Sequence, residues 1–186
     1  GEPIGKQDQY GAAMGGLNFL KFHQDGSVHV EPIVVDRDGR RYLEERMLLF
    51  YTGITRSASD LLKEQQENTV SDDEKYQDLC AMRDLAEELR SKLVAGEFDS
   101  VGKVLHQGWE LKRGLTARIS SGEIDALYTR AMKAGATGGK LLGAGGGGFL
   151  LFFVPPESQQ NVIEEMRELR LLRPRIDMQG TRVIYL

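Results

Sequence analysis

The chain has 186 residues, 40% of them apolar and 28% charged, a length suited to one domain or one and a fraction. Lys and Arg total 24 against 28 Asp and Glu, a net charge of −4, which argues against a nucleic-acid or anionic-membrane partner. The single cysteine, Cys80, excludes a disulfide framework and a cysteine-rich metal site, and fits a reducing compartment.

In chain order, the polar segment Gly5-Lys6-Gln7-Asp8-Gln9-Tyr10 runs into small residues, and Leu17, Phe19, Leu20 and Phe22 then alternate as a strand. Asp25-Gly26 is a hairpin turn signal leading to Val28, Val30, Ile33 and Val35. Asp38-Gly39 predicts a second such turn before a strand over 47–52, so that 17–53 is expected to be β-rich. From Ser57 the period changes. Ser57 and Asp60 form a candidate capping box for a first helix with Ala58, Leu61 and Leu62. Ser71 and Asp72 can cap a longer helix carrying Leu79, Cys80, Met82 and Leu89. Val101, Val104, Leu105, Gly108, Leu111 and Leu115 give a third helix at 3–4 spacing, and Ile124, Leu127, Tyr128 and Ala131 a fourth that ends at Gly135. Residues 149–154, bounded by Pro155-Pro156, predict a buried strand, and Val162, Ile163, Met166 and Leu169 a last helix. Strands are expected near 173–178 and 182–186. This order predicts an α+β layer, helices on one antiparallel sheet. The longest apolar run, 149–154, is far below the roughly 18 residues of a membrane span, and with no basic-then-apolar leader visible a cytoplasmic location is expected.

Glycine is the unusual residue. There are 22, against about 13 from average usage, and eight fall within 135–148. Four in a row contribute no core and cost chain entropy, which points to a backbone requirement. Successive N–H groups in such a loop can form an anion-binding concavity, phosphate being the usual occupant; a connection or tight packing against a neighbour is the alternative. Walker A is excluded because Phe149-Leu150 follows the last glycine instead of Lys-Ser or Lys-Thr. The Rossmann fingerprint is excluded because the predicted order is helix, loop, strand.

Gly143-Ala144-Gly145-Gly146-Gly147-Gly148 resembles the third, C-terminal motif of the galactokinase, homoserine kinase, mevalonate kinase and phosphomevalonate kinase (GHMP) superfamily, with Leu142 where Thr is often found and Phe149 where Cys is common. The segments 5–10, 50–58, 106–112 and 139–143 together are similar to the D-glycero-D-manno-heptose 7-phosphate kinase branch. The resemblance implies a ferredoxin-like C-terminal domain over 46–186 and, over 1–45, a remnant of the N-terminal kinase domain. It implies ATP and a sugar phosphate as ligands, with Mg2+ ligands and the principal phosphate loop in an N-terminal half whose motif strings do not occur here. Assembly with that half, or a homodimer, is expected.

The resemblance also implies that Asp8 lies beside the reacting sugar hydroxyl, whose proton a carboxylate can accept or orient; helix capping is the alternative. Gln7 and Tyr10 offer hydrogen bonds beside it. Arg56, and a helical stripe of His106, Trp109 and Arg113 with Lys112 adjacent, are candidates for holding the phosphate of the acceptor. No metal site is expected in this chain. A fucokinase- or galactokinase-type sugar kinase is the nearest enzyme alternative, and a non-catalytic module using the glycine loop for packing or assembly with a partner chain is the reading from a different class.

Overall fold

The computed structural model describes residues 5–54, 62–64, 67, 72–116, 119–143 and 145–183. It opens with helix α1 (Gln7–Met14), followed by an antiparallel hairpin of β1 (Asn18–Phe22) and β2 (Val28–Pro32), in which Phe22 faces Val28 and Asn18 faces Pro32. The turn forms where Asp25-Gly26 predicts it, with the Asp25 carboxylate accepting from the Ser27 N–H at 2.9 Å. The second predicted turn does not form. Asp38-Gly39 lies instead in helix α2 (Arg37–Arg46), which Asp36 caps by accepting from the Gly39 N–H at 2.7 Å. Glycine is needed there for contact, since a Cβ on Gly39 would sit 2.6 Å from the Phe98 ring.

Strand β3 (Met47–Tyr51) follows α2 directly and lies in a four-stranded sheet of order β4-β5-β3-β6, formed with β4 (Gly138–Leu141), β5 (Phe149–Phe153) and β6 (Arg170–Leu172). Every neighbouring pair is antiparallel, with Leu48 opposite Phe152 and Leu141 opposite Leu150. Alternation puts Leu48, Phe50, Leu150 and Phe152 on one fully buried face. The strand expected near 173–178 is replaced by Arg170–Leu172. Pro174, which has no N–H to donate, follows within two residues. Arg182 and Val183 are not in a strand, and 184–186 lie outside the described residues.

Strand β4 is the element that periodicity misses, because two of its four residues are glycine. Their reason is tertiary. A Cβ on Gly138 would lie 1.8 Å from the Gly102 carbonyl, and one on Gly139 would lie 2.4 Å from the Leu151 carbonyl. Helix α4 (Val101–Gly114) therefore rests directly on the β4 backbone.

The other helices are α3 (Asp73–Val94), α5 (Gly122–Lys133) and α6 (Gln159–Glu165). Asp72 caps α3 through the Glu74 and Lys75 N–H groups, and Ser121 caps α5 through that of Ile124. Ser71 and most of the helix expected from Ser57 lie outside the described residues. The main core joins the buried sheet face to Trp109, Ile124, Leu127, Tyr128 and Met166. A smaller cluster of Leu43, Val101 and Phe153 takes in Leu17, so packing crosses the expected boundary at 45/46.

Candidate active site at the glycine loop

The glycine loop closes the β4–β5 hairpin, so the local order is strand, loop, strand. The Leu142 N–H donates to the Phe149 carbonyl at 2.8 Å where the strands part. Two loop glycines face inward: a Cβ on Gly147 would lie 2.3 Å from the Ile54 carbonyl, and one on Gly145 would lie 3.2 Å from Ile119. Two face outward, since Cβ atoms on Gly143 and Gly148 would meet nothing within 4 Å. The Gly146 N–H donates to the Ile119 carbonyl and the Gly148 N–H to the Ile54 carbonyl, both at 2.8 Å. Thr52 donates from its N–H and its hydroxyl to the Gly148 carbonyl at 2.8 and 2.9 Å. The loop is thus tied to the segment after β3 and to Ile119, with its outer edge at Gly143 and Gly148. Ala144 lies outside the described residues.

Asp8 is exposed in the first turn of α1, where its charge favours the helix N-terminus. It is not the cap, a position held by Lys6 without a side-chain cap bond. Gln7 is exposed, and Tyr10 is half-buried with its ring edge-on to Phe22 at 6.0 Å. The far end of α1 is pinned by the C-terminal segment, with the Thr181 N–H donating to the Ala13 carbonyl at 3.1 Å.

Two lysines line one cavity beside α4, and one of them meets the loop. Lys112, in the last turn of α4, donates from Nζ to the Gly143 carbonyl at 2.5 Å. Lys140 is on β4, two residues from Gly138 and so on the same strand face, the one that α4 covers. Burial, and then the neighbouring Lys140 charge, lower the Lys112 amine to about 8, while Asp8 pulls the other way. Burial also lowers Lys140, again opposed by Asp8. The three charges therefore sit within electrostatic reach of one another beside the loop. Lys140 falls within the 139–143 segment that carries the resemblance but has no role assigned from sequence; the signal for one is its place two residues after Gly138.

The other candidates separate. Trp109 is 1% exposed and belongs to the core, its ring 5.8 Å from that of Tyr128, so the member of the expected ligand stripe next to His106 is packed inside rather than presented at the surface. His106 is half-buried, with Nδ1 2.8 Å from the Tyr128 hydroxyl, which donates in turn to the Gly139 carbonyl at 3.3 Å. Arg113 is paired with Glu110 at 3.3 Å and Asp125 at 3.4 Å. Arg56 lies outside the described residues. The structure brings Lys112 and Lys140 to one cavity and Lys112 to the loop, with the Asp8 charge acting on both lysines, and holds His106 and Trp109 within the packing of α4 and α5.

The outer edge of the loop is open at Gly143 and Gly148, where a Cβ would meet nothing within 4 Å, whereas the Gly146 and Gly148 N–H groups are taken up by the Ile119 and Ile54 carbonyls. Among the described residues no three His, Cys, Asp or Glu side chains gather where they could hold a metal ion. No helix among the described residues is long and apolar enough to cross a membrane.

Residues 85–169 match the family described as GHMP kinases C terminal. The chain is 33% identical over 164 residues to the D-glycero-alpha-D-manno-heptose 7-phosphate kinase of Campylobacter jejuni, covering 88% of this chain and 48% of that protein. It therefore spans about half the length of this curated relative. Among solved structures, a D-glycero-D-manno-heptose 1-phosphate kinase from Bacteroides thetaiotaomicron is 25% identical with a TM-score of 0.67, covering 95% of this chain and 47% of that one. L. major mevalonate kinase shares the fold, with a TM-score of 0.72 at 18% identity over 95% of this chain and 53% of that one. The antiparallel sheet with its helices is thus the C-terminal domain fold of the GHMP kinases, and the chain resembles the C-terminal part of a sugar kinase of that family.

Proposed function

We propose that the chain is the C-terminal part of an ATP-dependent kinase that phosphorylates D-glycero-D-manno-heptose 7-phosphate at its anomeric hydroxyl. The observation that carries this reading is the gathering of Asp8, two lysines and the outward glycines on one edge of a fold shared with sugar kinases. Phosphoryl transfer needs positioning and charge stabilisation more than covalent chemistry. In this reading the acceptor hydroxyl oxygen bonds to the terminal phosphorus as the bridging bond to ADP breaks, and the Asp8 carboxylate accepts the hydroxyl proton. Gln7 and Tyr10 orient the sugar, and the backbone at Gly143 and Gly148 lies along the nucleotide phosphates. Residues 1–45 contribute Asp8, and Mg2+ ligands come from the N-terminal half of the complete kinase. The reaction takes place in the cytoplasm.

The test uses the complete kinase or the chain joined by its N-terminal half. Asp8→Asn should lower turnover about 10²-fold or more, within the range of a lost general base, while ATP affinity changes little. Turnover in folded Asp8→Asn equal to that of the unaltered enzyme would remove Asp8 from the reaction.

A further inference from the structure

Lys112 and Lys140 line one cavity of about 150 Å³ between α3 and α4, whose other walls are apolar: Met82, Leu85, Ala86, Leu89, Val104, Leu105 and Trp109, with Gly108 between them. The volume is well below the roughly 300–1,000 Å³ of a site that encloses a whole ligand, so it suits a single chemical group. The polar groups on this wall are donors. Each ammonium carries three N–H bonds, and one from Lys112 goes to the Gly143 carbonyl. The Trp109 indole N–H is buried and has no acceptor among the described residues. Holding two cations against apolar walls is costly unless negative charge meets them. Asp8 is the carboxylate that acts on both, and it is exposed on α1 outside the cavity wall. Among the described residues, two positive charges meet one negative at this site.

We infer that Lys112 and Lys140 form a subsite for one phosphoryl group, an acceptor-only dianion whose three terminal oxygens can accept from the two ammonium groups that line the cavity. A phosphoryl group suits the site better than a carboxylate because it brings a third oxygen and a second charge to two ammonium groups. The proposal rests on the kinase reading only for the source of that group, which is either the nucleotide or the phosphorylated sugar.

The test is isothermal titration of the 186-residue chain with inorganic phosphate at low ionic strength and pH 7, with circular dichroism to verify folding. One saturable site is expected in the unaltered chain, weakened at least tenfold in Lys140→Met and in Lys112→Met, and unchanged in Lys133→Met, which alters an exposed lysine of α5. Acetate should bind at least tenfold more weakly than phosphate. Two further arms identify the source: ADP against adenosine, and glucose 6-phosphate against glucose, with the phosphate-dependent difference collapsing in the lysine variants for the true source. Should either variant fail to fold, protection of Lys112 and Lys140 from an amine-acylating reagent by phosphate, read by mass spectrometry on the unaltered chain, decides the same point. Absence of saturable phosphate binding, affinities of both folded variants within twofold of the unaltered chain, or no protection would overturn the proposal. None of these results depends on turnover, so a lysine subsite that fails alongside an inactive Asp8→Asn kinase leaves the kinase reading in place, and the converse result leaves the subsite.

Discussion

At the residue scale, Lys112 shows how a single charge becomes a property of the fold. Its amine has an ordinary value of 10.5 and is lowered to about 8 in the folded chain, first by burial and then by Lys140. Between those two values the unfolded chain binds the proton and the folded chain does not, so stability contributed by this group rises with pH through that window. Below about 8 the charged amine is held at a cost. The stability of the unaltered chain relative to Lys112→Met should therefore increase from pH 8 to pH 10, measured by urea unfolding at each pH. A pH-independent difference would show that the amine is not withdrawn from water. The same scale separates Trp109 from the candidate ligands. Its place in the helical stripe beside His106 is compatible with either a surface or a core position, and the packing of α4 on the sheet puts it inside.

At the element scale, the β1–β2 hairpin is joined to α3 by Glu31, which accepts from Arg90 Nε and Nη2 at 3.0 and 2.6 Å. The Arg90 guanidinium holds the Glu31 carboxyl below its ordinary 4.5. Its contribution is present above that value and is lost as the pH falls through the lowered folded one. Both side chains are partly exposed, so the gain is local more than global. Arg90→Ala should accelerate amide exchange in Asn18–Phe22 and Val28–Pro32 several-fold while leaving Met47–Tyr51 and Phe149–Phe153 unchanged. Uniform acceleration across both sheets would mean that the pair holds the whole domain. Elements also differ in how much of them sequence reveals. Residues 149–153 are continuous apolar residues between glycine and proline, and β5 forms there because such a run can be buried from both sides. Strand β4 has no such pattern, because its glycines answer to backbone atoms of α4 and β5 that are distant in sequence.

At the scale of the whole molecule, the chain spans 48% of the Campylobacter heptose kinase. The hairpin is a two-stranded sheet, marginal by itself in water, and Phe22 is 45% exposed on it. Met14, Val34 and Tyr51 add further exposed apolar surface. Self-association, or assembly with a supplied N-terminal half, follows as an expectation for 1–45, with phosphoryl transfer arising only in the assembled protein. Sedimentation equilibrium of the chain alone and mixed with that half checks it, alongside transfer from ATP. A particle that stays monomeric in both samples at high concentration would count against it, as would transfer by the chain alone.

The sequence by itself determined the helices of 73–133 and the Asp72 cap, the hairpin at Asp25-Gly26, the strands over 47–51 and 149–153 and the glycine loop. These are local: a cap bonds to an N–H two or three residues away, and a periodic apolar face follows from the repeat of one helix. Asp38-Gly39 is helical because Asp36 caps α2 three residues before Gly39, a local signal that the Asp-Gly pattern masks, while the close approach of Phe98 to Gly39 is tertiary. Tertiary structure alone decided that Lys140 joins Lys112 and Asp8, because three charges from β4, α4 and α1 meet only when α4 lies on the backbone of Gly138. The loop glycines divide in the same way. Their density marks a backbone requirement in the sequence, but which of them press on Ile54 and Ile119 and which face open space depends on contacts across more than twenty residues, which no local pattern encodes.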